Sequence, residues 1–97
     1  MFEQVNIEDM KPVNLRGHVN ATLDELIQLL GRPEIGDLDS TTVEWRVIHD
    51  DHTHIKVYDW KQGEHPANVT HWNVAANNTE AVDILNHALA RNRELAI

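Results

Sequence analysis

The strongest pattern of hydrophobic and polar positions lies in residues 22–30 and predicts a short amphipathic helix. Four aliphatic residues recur at the i, i+3, i+4 and i+7 spacing of one helical face: Leu23, Leu26, Ile27 and Leu30. Thr22 and Glu25 have the spacing of a capping box, in which each side chain accepts a hydrogen bond from the backbone N–H of the other residue. Gly31 supplies a left-handed stop and Pro33 prevents continuation, so the helix should end near residue 30.

A second pattern, strict alternation of hydrophobic and polar residues, predicts a β-hairpin between residues 41 and 58. The hydrophobic positions of both arms are odd-numbered: Val43, Trp45, Val47, Ile55 and Val57. They share one face of the sheet if a three-residue turn at 50–52 pairs Val47 with Ile55. The opposite face then carries the even-numbered residues Glu44, Arg46, Ile48, His54, Lys56, Tyr58 and Trp60.

A third strand and a last helix follow the hairpin. Residues 69–75 alternate around Trp72 and Val74, which predicts a strand with Trp72 directed to the core. Asn77 or Asn78 should cap the final helix. The hydrophobic stripe of that helix consists of Ala81, Val82, Leu85, Ala88 and Leu89.

These elements predict a single α+β domain over residues 1–97. Residues 1–13 are expected to be a mobile arm or a short edge segment, and residues 15–19 form a weakly patterned strand. The predicted order is (β)αβββα, an antiparallel sheet of three to four strands with two helices packed on one face. The other face would be open to solvent, to a ligand or to a second copy of the chain.

Charge and composition restrict the classes of partner. The chain has 8 basic and 16 acidic residues, and its formal net charge of −8 disfavours direct binding to nucleic acid or to an anionic membrane. The same charge permits binding to a basic protein surface, although solubility alone also explains it. No apolar run approaches a membrane-spanning length, the N-terminus lacks the features of a signal peptide, and cysteine is absent. A soluble, cytoplasmic protein without a cofactor is therefore expected.

Histidine is the first candidate for site chemistry, because His52 and His54 form a His-x-His pair beside the predicted turn. Such a pair places both imidazoles on one side of a strand, as many metal sites require, but no third ligand is near in sequence. An exposed turn is the more ordinary explanation, so both are weak metal candidates. The sequence lacks a nucleophile motif, a phosphate-binding glycine-rich loop and a paired His-Glu helix motif, so no catalytic residue is predicted.

The aromatic residues of the hairpin indicate a binding surface instead. Strand parity directs Tyr58 and Trp60 away from the core, and tryptophan, tyrosine and arginine dominate the energy of many interfaces. Acidic residues near them would complement a basic partner. The predicted binding surface therefore consists of Glu44, Arg46, Asp50, Asp51, Lys56, Tyr58, Asp59, Trp60, Glu64 and His71.

Four segments, LDELIQLLGRP, VEWRV, IKVYDWK and HWNVAANNTEAVDIL, carry a resemblance to other proteins. Over roughly residues 23–89, the chain resembles a group of small uncharacterised phage-encoded proteins. It departs from them at Ala75 and Ala76, where that group tends to have two glycines; if those glycines let a ligand or backbone approach closely, that role does not carry over to this chain. The resemblance implies a phage or mobile-element accessory protein and no particular activity. The match is most specific at Tyr58, Asp59, Trp60, Lys61 and Trp72.

Three hypotheses for function follow from these observations. Small, acidic, cysteine-free phage proteins resemble inhibitors of host machinery, of which anti-CRISPR proteins are the best-known group. The leading hypothesis is a non-enzymatic protein that inhibits a host protein or ribonucleoprotein complex, such as a CRISPR-type defence complex. The second is a small-ligand or nucleotide-binding protein, with Tyr58 or Trp60 stacked on a base. The third is a structural homodimer that pairs through the open sheet face.

Overall fold

The chain folds into an α+β structure that combines an open antiparallel sheet with two helices. The computed structural model describes residues 2–36, 41–59 and 65–95. Two single-turn 3-10 helices in these ranges cover Ile7–Asp9 and Pro66–Asn68. The other elements in chain order are β1 (Phe2–Gln4), β2 (Asn14–Asn20), α1 (Leu23–Leu30), β3 (Glu34–Ile35), β4 (Val43–His49), β5 (Thr53–Tyr58), β6 (His71–Ala76) and α2 (Ala81–Leu95).

Helix α1 confirms the strongest sequence prediction. Thr22 Oγ1 accepts a hydrogen bond from the Glu25 N–H at 3.1 Å, and Glu25 Oε1 accepts one from the Thr22 N–H at 2.9 Å. Gly31, at a φ of 90°, ends the helix and donates its N–H to the Ile27 carbonyl at 2.8 Å. The helix begins and ends as predicted because both signals act within one turn of its ends.

The β4–β5 hairpin has the predicted register. Val47 pairs with Ile55 across a three-residue turn at 50–52. Asp50 and Asp51 of this turn have φ values of 50° and 67°, a left-handed conformation that aspartate tolerates better than most residues. The odd-numbered side chains of both strands therefore face the same side of the sheet.

The third predicted strand and the last helix are also present, as β6 and α2. Trp72 is buried, as its strand parity predicts. Asn78 Oδ1 accepts a hydrogen bond from the Glu80 N–H at 3.0 Å just before α2 begins. Asn77 instead accepts one from the His54 N–H at 2.9 Å, which ties the end of β6 to β5. Of the two predicted caps, Asn78 is thus the one that contacts the start of the helix.

The sheet within the described residues has six strands rather than three to four. Its order is β1–β4–β5–β6–β2, and β3 pairs with the same edge of β4 as β1 does. β1 falls within residues 1–13, for which a short edge segment was one of two alternatives, whereas β3 was not predicted, because a strand of two residues is too short to show alternation. The resulting chain order is ββαββββα, in which the predicted (β)αβββα order is only partly matched.

Of the two alternatives for residues 1–13, a mobile arm or a short edge segment, the structure has an edge strand, β1, at Phe2–Gln4. Phe2 pairs with His49 of β4, and Gln4 continues the pairing. Gln4 Nε2 also donates hydrogen bonds to the carbonyl oxygens of Leu30 at 3.0 Å and Arg32 at 2.7 Å. These contacts fix the N-terminal segment to the end of α1 as well as to the sheet.

The hydrophobic core lies between the two helices and the inner face of the sheet. Trp45 and Trp72 meet there edge to face, with ring centroids 5.3 Å apart. Trp72 Nε1 donates to the Ala21 carbonyl and Trp45 Nε1 donates to the Gly31 carbonyl, both at 2.8 Å. The two indoles therefore hold both ends of α1 against the sheet. The buried core residues are Val19, Ala21, Leu26, Leu30, Trp45, Val47, Ile55, Val57, Trp72, Val74, Ala76, Ala81, Leu85 and Leu89.

The opposite, outer face of the sheet is not fully open, contrary to the sequence prediction. β1 and β2 lie at opposite edges of the sheet, so the connection between them, residues 5–13, has to cross it. It crosses on the outer face, where the Lys11 N–H donates to Nδ1 of the buried His54 at 3.1 Å. Asn73 and Ala75 are buried on this face as well. The area left for a ligand or a second copy is therefore smaller than a bare sheet face.

Candidate functional site

Four of the predicted binding residues lie together on the outer face. Glu44 is opposite Tyr58 and Arg46 is opposite Lys56 in the β4–β5 register. Arg46 Nη1 lies 2.7 Å from one Glu44 carboxylate oxygen, and Lys56 Nζ lies 3.9 Å from the other. Strand parity predicted this grouping, because even-numbered side chains project to one side. These four residues are called the outer-face cluster below.

The outer-face cluster forms most of its interactions within the protein. Glu44 is only 6% exposed, and two cations share its carboxylate. The Lys56 ammonium lies 5.1 Å from the centre of the Tyr58 ring, a cation–π distance, and burial raises the pKa of Tyr58. Arg46 Nε is buried without a hydrogen-bond partner. A partner that binds here must compete with these internal ion pairs.

Asp59 lies inside the fold rather than on the predicted binding surface. It directly follows β5 and is only 1% exposed. Its Oδ1 accepts hydrogen bonds from the backbone N–H groups of Thr42 at 2.8 Å and Val43 at 3.1 Å, whereas its Oδ2 is buried without a partner. Asp59 therefore closes the open end of the β4–β5 hairpin. The sequence analysis placed Asp59 on the surface because it is acidic and adjoins Tyr58 and Trp60, although its odd number matches the inward-facing positions of β5.

Exposed carboxylates gather along the edge of the sheet formed by β1 and β3. Asp50 and Asp51, at the tip of the β4–β5 hairpin, line a depression together with Glu3 of β1. Asp9 and Glu34 line a second depression near the junction of β1 and β3. Glu8 precedes Asp9 in the same 3-10 helix. This surface, called the acidic edge below, consists of Glu3, Glu8, Asp9, Glu34, Asp50 and Asp51.

Two large hydrophobic side chains that neighbour these carboxylates in sequence are exposed. Ile7 is 66% exposed beside Glu8, and Ile35 is 76% exposed beside Glu34. The sequence analysis included the two hairpin carboxylates but missed the other members of this surface. Glu3 and Glu34 come to the same edge because β1 and β3 both pair with β4, and the pairing of β3 was not predicted. The acidic N-terminus was the one signal of this surface in the sequence.

The two weak metal candidates, His52 and His54, have separate surroundings. His52 is exposed, and its Nδ1 lies 2.7 Å from the Asp50 carbonyl oxygen. His54 is 4% exposed, and its Nδ1 accepts the hydrogen bond from Lys11. Burial and, secondarily, the Lys11 charge lower the pKa of His54, so the neutral imidazole is favoured. Within the described part of the chain, no group of three or more metal-ligating side chains could hold an ion.

His71 lies apart from the outer-face cluster, on the side of β6 next to the edge strand β2. Its ring stacks on that of His18, with centroids 4.5 Å apart and an interplanar angle of 20°. Its Nδ1 lies 3.0 Å from Asn20 Oδ1. The sequence analysis singled out His71 but not its neighbour. The remaining predicted binding residues, Trp60 and Glu64, lie outside the described residues.

Comparison with known proteins adds no homologue to this description. No protein-family model, no curated protein and no solved structure matches the chain. None of the helices in the described ranges combines the length and hydrophobicity needed to cross a bilayer.

Proposed function

We propose that this chain is a non-enzymatic binding protein that attaches to a basic surface of another protein through its acidic edge. The observation that carries the proposal is the group of six exposed carboxylates along one edge of the sheet, next to which two isoleucines are also exposed in sequence. In keeping with the resemblance to phage-encoded proteins, the proposed partner is a host protein or ribonucleoprotein complex, such as a CRISPR-type defence complex. Binding would inhibit that complex.

The acidic edge has complementary charge for a site that normally holds nucleic acid. Such sites concentrate lysine and arginine, and a protein with a net charge of −8 is steered toward them by long-range attraction. Exposed rim charges contribute mainly to the association rate and to the choice of partner. Burial of Ile7 and Ile35 would supply apolar contact that the carboxylates lack. The proposal thus assigns steering to the carboxylates and contact energy to the isoleucines.

The two alternative functions have less support from the described residues. A nucleotide that stacked on Tyr58 would have to displace the Lys56 ammonium from its ring. A homodimer through the outer face would have to accommodate residues 5–13, which cross that face. In the acidic edge, Asp50 Oδ2 lies 3.5 Å from His49 Nδ1, but all six carboxylate side chains are exposed, so it is the favoured surface.

Charge reversal tests the proposal. The edge variant Glu8→Lys/Asp9→Lys changes two exposed side chains in a single-turn helix. The matched control Asp83→Lys/Glu94→Lys makes the same charge change on exposed positions of α2, one near each end. We expect the edge variant to bind the partner about 5- to 30-fold more weakly, which corresponds to about 1–2 kcal/mol, and the control to bind like the wild type.

The partner is first sought by affinity capture from a bacterial lysate. The wild type, the edge variant and the control each serve as bait, and mass spectrometry identifies the captured proteins. A protein retained by the wild type and the control but not by the edge variant is the expected result. Its retention should weaken as salt rises from about 0.05 M to about 0.5 M, because screening shortens the reach of the carboxylates. Phage plaquing on a host with active CRISPR-type interference then tests inhibition. Equal capture by edge variant and control would exclude the acidic edge as the contact.

A further inference from the structure

Two exposed histidines lie next to each other on β2 and β6, at the end of the sheet opposite the acidic edge. His18 of β2 and His71 of β6 lie on neighbouring antiparallel strands, and both side chains point to the outer face. Their rings are nearly parallel, with centroids 4.5 Å apart. The pair is therefore formed by strand pairing alone and is called the histidine pair below.

One member of the pair has a side-chain hydrogen-bond partner on the neighbouring strand. Asn20 Oδ1 lies 3.0 Å from His71 Nδ1, and an amide oxygen can only accept a hydrogen bond. His71 Nδ1 therefore carries the proton in the neutral ring, which leaves the lone pair on Nε2. A hydrogen bond from the second ring nitrogen to an oxygen is the usual device that orients a metal-binding histidine.

We propose that the histidine pair chelates a divalent late transition-metal cation of the Zn²⁺ class. Two imidazole nitrogens about 2.0–2.1 Å from a tetrahedral zinc ion lie roughly 3.3 Å from each other. The lone pair of an imidazole nitrogen lies in the ring plane, so two rings stacked at an interplanar angle of 20° do not point at a common ion. The exposed His18 ring therefore has to rotate out of the stack to bring its nitrogen to that separation. In this arrangement His18 and His71 are ligands and Asn20 is a positioning residue.

The charges around the pair permit a cation to bind. Arg93 reaches this region by donating a hydrogen bond to the Asn20 carbonyl oxygen at 2.9 Å. Its guanidinium is paired with the carboxylate of Glu25, which compensates its charge. Lys56, on the next strand, is directed to Glu44. The net charge of −8 adds a general attraction for cations.

A metal held in this way would link β2 to β6. Two protein ligands leave further coordination positions for water or for a side chain of a partner. Hard cations such as Mg²⁺ prefer oxygen ligands and should not bind here. The inference concerns the isolated protein and does not depend on the acidic edge or on any partner.

Zn²⁺ titration of the untagged protein at neutral pH, followed by calorimetry and by NMR of the histidine rings, tests the proposal. We expect one saturable Zn²⁺ site, with ring resonances of His18 and His71 perturbed and those of His87 unchanged. His18→Ala and His71→Ala should each abolish the site or weaken it at least tenfold. Asn20→Ala should weaken binding about tenfold or more while leaving the one-to-one stoichiometry intact, because loss of an outer-shell partner costs about 10- to 100-fold.

The control variant is His87→Ala, which removes an exposed histidine from α2 and should bind Zn²⁺ like the wild type. Magnesium chloride in place of the zinc salt should give no site-specific response. Circular dichroism of each variant verifies that the fold is retained. Absence of saturable binding up to about 1 mM Zn²⁺, or equal binding by the His18→Ala/His71→Ala double variant, would overturn the proposal.

Discussion

Replacement of Asp59 separates a role in folding from a role in partner binding. Its Oδ1 accepts two backbone hydrogen bonds, from Thr42 at 2.8 Å and from Val43 at 3.1 Å, at the open end of the β4–β5 hairpin. Asp59→Ala removes both acceptors at once. Asp59→Asn keeps an acceptor oxygen but removes the negative charge. We expect the stability order wild type, then Asp59→Asn, then Asp59→Ala.

The magnitude follows from the burial of the groups involved. A buried N–H left without an acceptor costs about 1–3 kcal/mol, and the lower part of that range applies because Thr42 and Val43 are only half-buried. Two such groups cost about 2–3 kcal/mol. Removal of Oδ2, which is buried without a partner, offsets less than about 1 kcal/mol of this. The net expectation for Asp59→Ala is therefore a loss of about 2 kcal/mol.

Asp59→Asn should cost about 1 kcal/mol, because hydrogen bonds to a charged acceptor are stronger than those to a neutral one. For a chain of this length, 1 kcal/mol corresponds to roughly 4–8 °C in Tm. Asp59→Ala should accordingly melt about 8–16 °C below the wild type. Asp9→Ala, an exposed aspartate in a single-turn helix, is the control and should stay within about 0.5 kcal/mol.

Urea unfolding followed by tryptophan fluorescence measures these differences, since Trp45 and Trp72 are buried in the core. A free energy of unfolding for Asp59→Ala within about 0.5 kcal/mol of the wild type would refute the role of Asp59 in closing the open end of the β4–β5 hairpin. Once a partner is identified, folded Asp59→Asn should bind it with unchanged affinity. Loss of binding by this folded variant would show that Asp59 contributes to partner binding.

Two further predictions concern the core and the outer face. Trp72→Phe should lower the free energy of unfolding in urea by about 1 kcal/mol more than Trp45→Phe does. Trp72→Phe leaves the carbonyl of the buried Ala21 without its hydrogen bond, whereas the carbonyl of the exposed Gly31, the partner of Trp45, can bind water instead. Equal losses in the two variants would contradict this reasoning. The pKa of His54 is lower in the folded protein than in the unfolded chain, so the unfolded chain binds the proton more tightly. The contribution of the neutral His54 to the free energy of unfolding is therefore fully present above pH 6.5 and is lost as the pH falls toward the folded-state pKa. His54→Gln should therefore show a smaller decrease in unfolding free energy between pH 7.5 and pH 5 than the wild type, and identical slopes would count against a neutral buried imidazole.

Elements with a complete local pattern could be predicted without the fold. Helix α1 has its stripe, its capping box and its glycine stop within ten residues, so each determinant acts locally. The β4–β5 register followed from parity, because only a three-residue turn places Val47 and Ile55 on the same face. Parity also directed Trp72 to the core and Tyr58 away from it.

The candidate surfaces required the tertiary structure. Asn20 and His71 are 51 positions apart and meet only because β2 pairs with β6. The acidic edge depends on β1 and β3, which are too short to produce a periodic signal. Asp59 has the charge of a surface residue, but it is held inside the fold by the N–H groups of Thr42 and Val43, at the start of β4.

The sequence by itself thus determined which residues form the longer elements and which side of each strand faces the core. Those features depend on periodicity and on contacts within a few residues. Only the tertiary structure decided which strands are neighbours, what crosses the outer face, and which distant side chains meet. Long-range strand pairing depends on the free energy of the whole chain, and no local pattern encodes it.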